Sequence, residues 1–277
     1  MQNVFSYILM LDFSFSVNSS FLEQLPASLF SSKELRVDVL RLDTIHPLIS
    51  GNKWFKLKYN LLEAKKKNQK KLLTFGGAYS NHIVATAAAG DLLGFETIGI
   101  IRGQELCNQQ LNSYLQRAKE LGMELHFVSR EEYRQKSEQN FIENLSQKFG
   151  DFYLLPEGGS NRFALQGTSE ILSFLKTENL HYDYICTCVG TGGTLAGIAA
   201  SIFGLKTKLL GFSALKNGDF LYEDTTNLLH QAEINYFKTF EIVLDYHFGG
   251  YAKHKPELLA FIKDFTSKTS IPLEPVY

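Results

Sequence analysis

From residue 71 onward short apolar runs alternate with stretches of helical period, the pattern of a parallel sheet with helices on its faces. Buried strands are predicted at 72–75, 97–101, 125–128, 152–155, 184–189, 209–213 and 242–246, and the run 271–277 predicts a last one. A helix is predicted from about residue 81, with Ser80 as its N-cap and Ala85, Ala87, Ala88 and Ala89 allowing close packing. Leu111, Leu115 and Ala118 mark the next helix. Ser129 and Glu132 then make a capping box for a helix running towards Phe149. Further helices are predicted around 171–176, from Thr194, at 227–232 and over 258–265. Upstream, Leu57, Leu61 and Ala64 mark a helix that ends in Lys65, Lys66, Lys67, Lys70 and Lys71, where the helix dipole favours cations.

The first 17 residues are apolar but carry Asp12 and no basic residue ahead of the apolar stretch. No run reaches the ~18 apolar residues of a spanning helix. The segment is expected to wrap onto the body or fray, with a signal peptide as the alternative. A chain of 277 residues, 44% hydrophobic, can bury one large core or two modest ones, so one or two lobes are expected. A formal net charge of -1 supplies no field for nucleic acid, and the lysine cluster lacks interleaved aromatics. Small molecules are therefore the expected partners, with neither nucleic acid nor membrane. Cys107, Cys186 and Cys188 fit neither a disulfide framework nor a zinc site, which points to the reducing cytoplasm. Cys186 and Cys188, in an apolar run, are expected as small core residues.

Three glycine-rich elements, expected at strand ends, are candidates for ligand binding. In Gly190-Thr191-Gly192-Gly193-Thr194, between an apolar strand and a helix, backbone N–H groups and the helix N-terminus can face one anion. It is not a P-loop, which needs Lys-Ser or Lys-Thr after its last glycine. Nor is it a dinucleotide fingerprint, which needs glycine where Leu195 stands. A plain tight turn is the alternative. In Ser50-Gly51-Asn52-Lys53-Trp54-Phe55-Lys56-Leu57 a lysine precedes a helix, and a desolvated amine there could attack an aldehyde. Spacing does not separate Lys53 from Lys56, Lys58 or an ordinary surface lysine. In Gly76-Gly77-Ala78-Tyr79-Ser80-Asn81-His82 the helix start, the Ser80 hydroxyl and the Asn81 amide could hold a carboxylate or a ring oxygen, or Ser80 could simply be a cap. Ser80 and His82 make no hydrolase triad, since no G-x-S-x-G elbow surrounds the serine.

Ser-Gly-Asn-Lys-Trp at 50–54, Ser-Asn-His at 80–82, Glu-Gly-Gly-Ser-Asn at 157–161, Gly-Thr-Gly-Gly-Thr at 190–194 and Glu-Pro-Val-Tyr at 274–277 follow one order along the chain. In that order they resemble the 1-aminocyclopropane-1-carboxylate deaminase and D-cysteine desulfhydrase family of pyridoxal-phosphate enzymes. The resemblance runs from about Val37 to the last residue. It implies a two-lobed α/β fold like the tryptophan synthase β chain, with open, mostly parallel twisted sheets flanked by helices. Residues 1–54 and 164–277 would form the large cofactor lobe and 55–163 the small one, in a homodimer. It also implies pyridoxal 5'-phosphate as cofactor, with Lys53 as its Schiff-base lysine, Asn81 on the ring oxygen, and Gly190, Thr191, Gly192, Gly193 and Thr194 around the phosphate. Ser80 would hold the substrate carboxylate or assist catalysis, and Tyr251 and Tyr277 would flank the substrate, although both could equally be packing aromatics.

The implied reaction releases ammonia and a 2-keto acid from a small amino acid. Ser-Asn-His is closer to the desulfhydrase branch than the Ser-Asn-Gln of ring-opening members, so a substrate with a β-leaving group is preferred. The family continues past the last tyrosine motif with a segment that contacts the pyridine nitrogen. A form ending at Tyr277 is accordingly expected to bind cofactor weakly or turn over slowly. A cofactor-binding protein without turnover and a non-enzymatic α/β interaction module are the alternatives.

Overall fold

A computed structural model describes residues 21–31, 34–174, 182–234 and 240–276. The expectations for residues 1–17 and for Tyr277 lie outside these. Leu22–Gln24 (β1) and Asp38–Leu40 (β2) pair antiparallel ahead of the first long helix, Asn52–Lys66 (α1). Then come Lys71–Gly76 (β3), Asn81–Leu93 (α2), Glu96–Arg102 (β4), Ser113–Glu120 (α3), Glu124–Val128 (β5), Arg130–Arg134 (α4), Gln139–Phe149 (α5) and Tyr153–Leu155 (β6). The chain continues with Arg162–Thr168 (α6), Tyr184–Val189 (β7), Gly193–Ser201 (α7), Lys208–Ser213 (β8), Leu221–Gln231 (α8), Phe240–Val243 (β9) and Pro256–Thr269 (α9). One sheet has the order β5-β4-β3-β6 and another the order β7-β8-β9, and every pairing in both is parallel. The protein is thus mixed α/β, with parallel sheets flanked by helices.

In the first sheet β3 is central and buried on both faces, which explains its apolar run, broken only by the hydrogen-bonded Thr74. Leu72 packs with Leu57, Leu61 and Ala64 of α1 on one face, and Leu73 and Phe75 pack with Ile98, Ile100 and Tyr133 on the other. The second sheet packs Val189 and Leu209 against Leu195, Ile198 and Leu229. Its other face differs from expectation. Tyr184, Cys186 and Cys188 alternate outward along β7 and are exposed, so neither cysteine is a core residue. The helix expected from Ser129 to Phe149 is two: the capping box forms, but the Gln135 N–H turns back to the Glu132 carbonyl and closes α4 early. No strand forms over 271–276. Ile271 and Val276 are buried there, while Pro272 and Pro275 lack the donors a ladder needs. Near 171–176 the described part is a single 3-10 turn, Ile171–Phe174.

Helix α6, which the apolar pattern did not reveal, is wedged between α1 and α7. Its N-cap Asn161 accepts from the Ala164 N–H at 2.9 Å. Gly167 lies so close to α1 that a Cβ on it would sit 1.8 Å from the Phe55 carbonyl oxygen. The next residue, Thr168, has its hydroxyl 3.0 Å from the Gly193 carbonyl at the start of α7. Two consecutive residues therefore fix α1 and α7 relative to each other. Gly167→Ala is expected to cost about 3 kcal/mol of stability, at the upper end of overpacking penalties, because backbone rather than a side-chain tip must move. Urea unfolding followed by circular dichroism measures it, and a loss below about 1 kcal/mol would contradict this packing.

Candidate active site

Strands β3 and β7 both end at one cleft of about 2260 Å³. This exceeds the ~300–1,000 Å³ of an ordinary small-molecule pocket, because the cleft runs on past the strand ends along the uncovered face of β7. Its lining brings together Lys53, Ser80, Asn81, Gly190, Thr191, Gly192, Thr194 and Tyr251. Two of the three glycine-rich elements stand at strand ends, the third preceding α1 without a strand before it.

Lys53 is in the first turn of α1. Burial pushes its amine down to about 8, and the Glu274 carboxylate opposes that shift. The other two candidate lysines are occupied elsewhere. Lys58 is ion-paired with Glu170. The Lys56 amine donates to the Gly158 carbonyl at 2.9 Å, to Ser160 Oγ at 3.0 Å and to Thr191 Oγ1 at 3.3 Å. Burial, reinforced by the charge of Lys53, holds the Lys56 amine well below its usual range.

The turn from β7 into α7 forms a cradle. Helix α7 has no side-chain cap at its N-terminus, so its first N–H groups are left for another acceptor. Asn52 Nδ2 donates to Thr194 Oγ1 at 2.7 Å and ties the cradle to the residue beside Lys53. Ser160 and Thr191 share a hydroxyl contact of 2.6 Å. Gly193 backs onto them: a Cβ there would meet Ser160 Oγ at 2.6 Å and Lys56 Nζ at 3.2 Å. A cradle that excludes side chains, beside an amine partly neutral near pH 8, fits a small compound bearing a phosphate and an aldehyde.

Across the cleft, Ser80 is buried and caps α2, its Oγ accepting from the Ile83 N–H at 3.4 Å. His82 turns away from it. The Thr74 hydroxyl gives its proton to the Leu155 carbonyl at 3.0 Å, so it accepts from His82 Nε2–H at 2.9 Å. Burial, then the charges of Lys53 and Lys56, keep this imidazole neutral. Tyr251 reaches the same turn, its hydroxyl 3.3 Å from where a Cβ on Gly77 would stand. Of the last motif, Glu274 accepts from the Tyr114 hydroxyl at 2.9 Å. Asn52 and Ser160 are site residues whose roles the sequence does not suggest, and Lys56, an alternative to Lys53 by spacing, proves to be a structural tie. Lys56 repeats Lys53 three positions on along one helix face, and Ser160 stands in the Glu-Gly-Gly-Ser-Asn motif at 157–161.

A family model described as pyridoxal-phosphate dependent enzyme matches residues 24–277. The bifunctional D-cysteine desulfhydrase/1-aminocyclopropane-1-carboxylate deaminase of Arabidopsis thaliana, a mitochondrial protein, is 30% identical over 83% of this chain. The chain spans 61% of that relative's length. A putative 1-aminocyclopropane-1-carboxylate deaminase of Thermotoga maritima is 34% identical over 82% of this chain and 76% of its own. Among solved structures, that of an ACC deaminase homologue superposes with a TM-score of 0.81 at 26% identity, covering 92% of this chain and 80% of the other.

Lys56→Met, which keeps the length of the side chain without its donors, should cost about 2–4 kcal/mol, since one carbonyl and two hydroxyls lose a buried partner. Thermal unfolding of the cofactor-free protein is the measurement. An unchanged midpoint would show that the three contacts hold nothing together.

Proposed function

The chain belongs to the family of pyridoxal-phosphate dependent enzymes, and from that membership we propose that it is a deaminase or β-eliminating lyase of small amino acids, releasing ammonia and a 2-keto acid. The observation that carries this reading is the placement of one depressed lysine amine, Lys53, in the same cleft as the uncapped start of α7. Lys53 would bind the cofactor's aldehyde carbon, Asn81 its ring oxygen, and Gly190, Thr191, Gly192, Gly193 and Thr194 its phosphate. When bound, pyridoxal phosphate supplies an electron sink for the carbanion formed at the substrate's α-carbon.

The remaining steps fall to the protein's own side chains. Lys53, an amine partly neutral near pH 8, would take the proton from the α-carbon of a substrate with a β-leaving group. The turn 77–81, with Ser80 at the N-terminus of α2, holds the substrate carboxylate. Tyr251, beside Gly77, is placed to pass a proton to the departing group. For a cyclopropane substrate, which has no α-proton, Tyr251 or Ser80 would have to assist ring opening. Tyr277 keeps its role as a second flanking phenol on the motif resemblance alone.

The same reading retains residues 1–54 and 164–277 as the cofactor lobe and 55–163 as the small lobe, supported by strands 71–155 and 184–243 lying in separate sheets. It includes a homodimer, testable by light scattering. A cytoplasmic site is supported by Cys107, Cys186 and Cys188 all lying outside disulfides. No described helix is long and apolar enough to cross a membrane.

Lys53→Ala should abolish the visible absorption that appears when pyridoxal phosphate is added, and with it keto-acid release; an unchanged spectrum would reassign the lysine. In the unaltered protein the rate of cofactor uptake should rise with pH, as the amine loses its proton, and level off above a midpoint of about 8. A midpoint near 10 would mean that burial does not depress Lys53. D-cysteine is expected to release keto acid faster than 1-aminocyclopropane-1-carboxylate, and the reverse order would move the protein to the ring-opening branch.

A further inference from the structure

Arg102 closes β4 and lines the cleft with its side chain exposed. It forms no ion pair with any described carboxylate. Its guanidinium lies over the Tyr133 ring, 5.6 Å from the centroid. That platform is fixed: Tyr133 is buried, its hydroxyl donates to Glu157 Oε1 at 2.8 Å, and Lys136 lies 3.4 Å from the other oxygen of the same carboxylate. A guanidinium over an aromatic ring is attracted by the ring without using its N–H donors, which stay available to an anion. Glu157, engaged by both neighbours, does not neutralise it.

The fork stands where substrate would be held. Arg102 Nη2 is 3.5 Å from where a Cβ on Gly77 would stand, and the Tyr251 hydroxyl is 3.3 Å from that same point. One wall of the cleft thus carries the start of α2 with Ser80, the Tyr251 phenol and an uncompensated guanidinium. A small amino acid with a neutral side chain has one carboxylate, and the helix N-terminus with its serine supplies the donors for it. A permanent positive charge beside that site calls for a second anion.

We infer that Arg102 is a specificity-determining residue that pairs with an oxyanion on the β-substituent of the substrate, so that the preferred substrates are small amino acids whose β-leaving group is itself negatively charged. This rests on the lyase reading above. The chemistry is conventional: the β-carbon–oxygen bond breaks with its electron pair leaving on the β-group, the α-proton goes to Lys53, and one water completes the release of pyruvate and ammonium.

The test compares O-phosphoserine with O-acetylserine, each in both enantiomers, on the pyridoxal-phosphate-loaded protein, with pyruvate as readout. One charge-assisted pair contributes about 1.5–3 kcal/mol, so Arg102→Gln should lower the ratio of kcat/KM for O-phosphoserine to that for O-acetylserine about 10- to 150-fold. Arg102→Lys, which restores the charge without the fork, should recover part of it. Equal losses for both compounds, leaving the ratio unchanged, would overturn the assignment and place Arg102 on the α-carboxylate or in the scaffold. Calorimetric binding of O-phosphoserine to the unaltered and Arg102→Gln proteins decides the matter even without turnover, since equal affinities also overturn it. Failure to take up pyridoxal phosphate would overturn the lyase reading instead, a result distinguishable by its absent spectrum.

Discussion

The contact on which the site depends is between backbones. Gly167 of α6 stands against the Phe55 carbonyl of α1, and Thr168, one residue on, reaches the Gly193 carbonyl of α7. Protein interiors are close-packed and transmit small displacements rather than absorbing them. The start of α1, which carries Lys53, and the start of α7, which carries the uncapped turn proposed for the phosphate, are therefore held by a helix of seven residues. Asn52 to Thr194 adds a second, polar tie on the cleft side of the same junction. In the proposed role, an amine meeting an aldehyde carbon would need its distance to the phosphate site set to within a fraction of an ångström. Packing without an intervening side chain is the stiffest way to set it.

The same junction explains why two buried lysines on one helix face take different roles. Burying an amine without partners is costly, and the group responds by shedding its proton or by finding acceptors. Lys56 finds three, on residues 158, 160 and 191, and so joins the Glu-Gly-Gly-Ser-Asn loop to the turn after β7. Lys53 stands one turn earlier, where the helix begins at the cleft; burial weakens the hold of both amines on their protons, but only Lys56 is tied into the 158–160 loop. The charge of Lys53 adds to burial in lowering Lys56, whereas burial is what lowers Lys53.

Most of the sheet was legible in the sequence because both of its signals were local. The double burial of β3 appears as an apolar run broken only by Thr74, and the glycine-rich turns after β3 and β7 punctuate the strand-to-helix transitions. What was not legible depends on contacts far apart in the chain. Helix α6 carries no apolar stripe of its own, and its defining features are one glycine facing α1 and one threonine facing α7. The outward face of Cys186 and Cys188 follows from what covers β7, which an apolar run alone cannot tell. Among the lysines 53, 56 and 58, spacing gave no preference, because the distinction lies in partners 102 to 135 residues away.

His82 shows how a motif can be informative for a reason other than the chemistry its residues suggest. A serine two positions before a histidine invites a nucleophile and base, yet the imidazole points into the sheet and is locked in one tautomer by Thr74, whose own proton is committed to the Leu155 carbonyl. The ring therefore ties the start of α2 to β3, and Thr74 carries the link on to β6, beneath the turn that presents Ser80 and Asn81. The same ring bounds the 157–161 loop, since a Cβ on Gly159 would meet His82 Cε1 at 2.9 Å. Replacing it with a smaller or apolar side chain would remove the donor to Thr74 and loosen the floor of the turn, without altering Ser80 or Asn81 themselves. A residue that supports two loops of a site from below is constrained as tightly as one that lines it, and an ordered set of motifs records both kinds of constraint together.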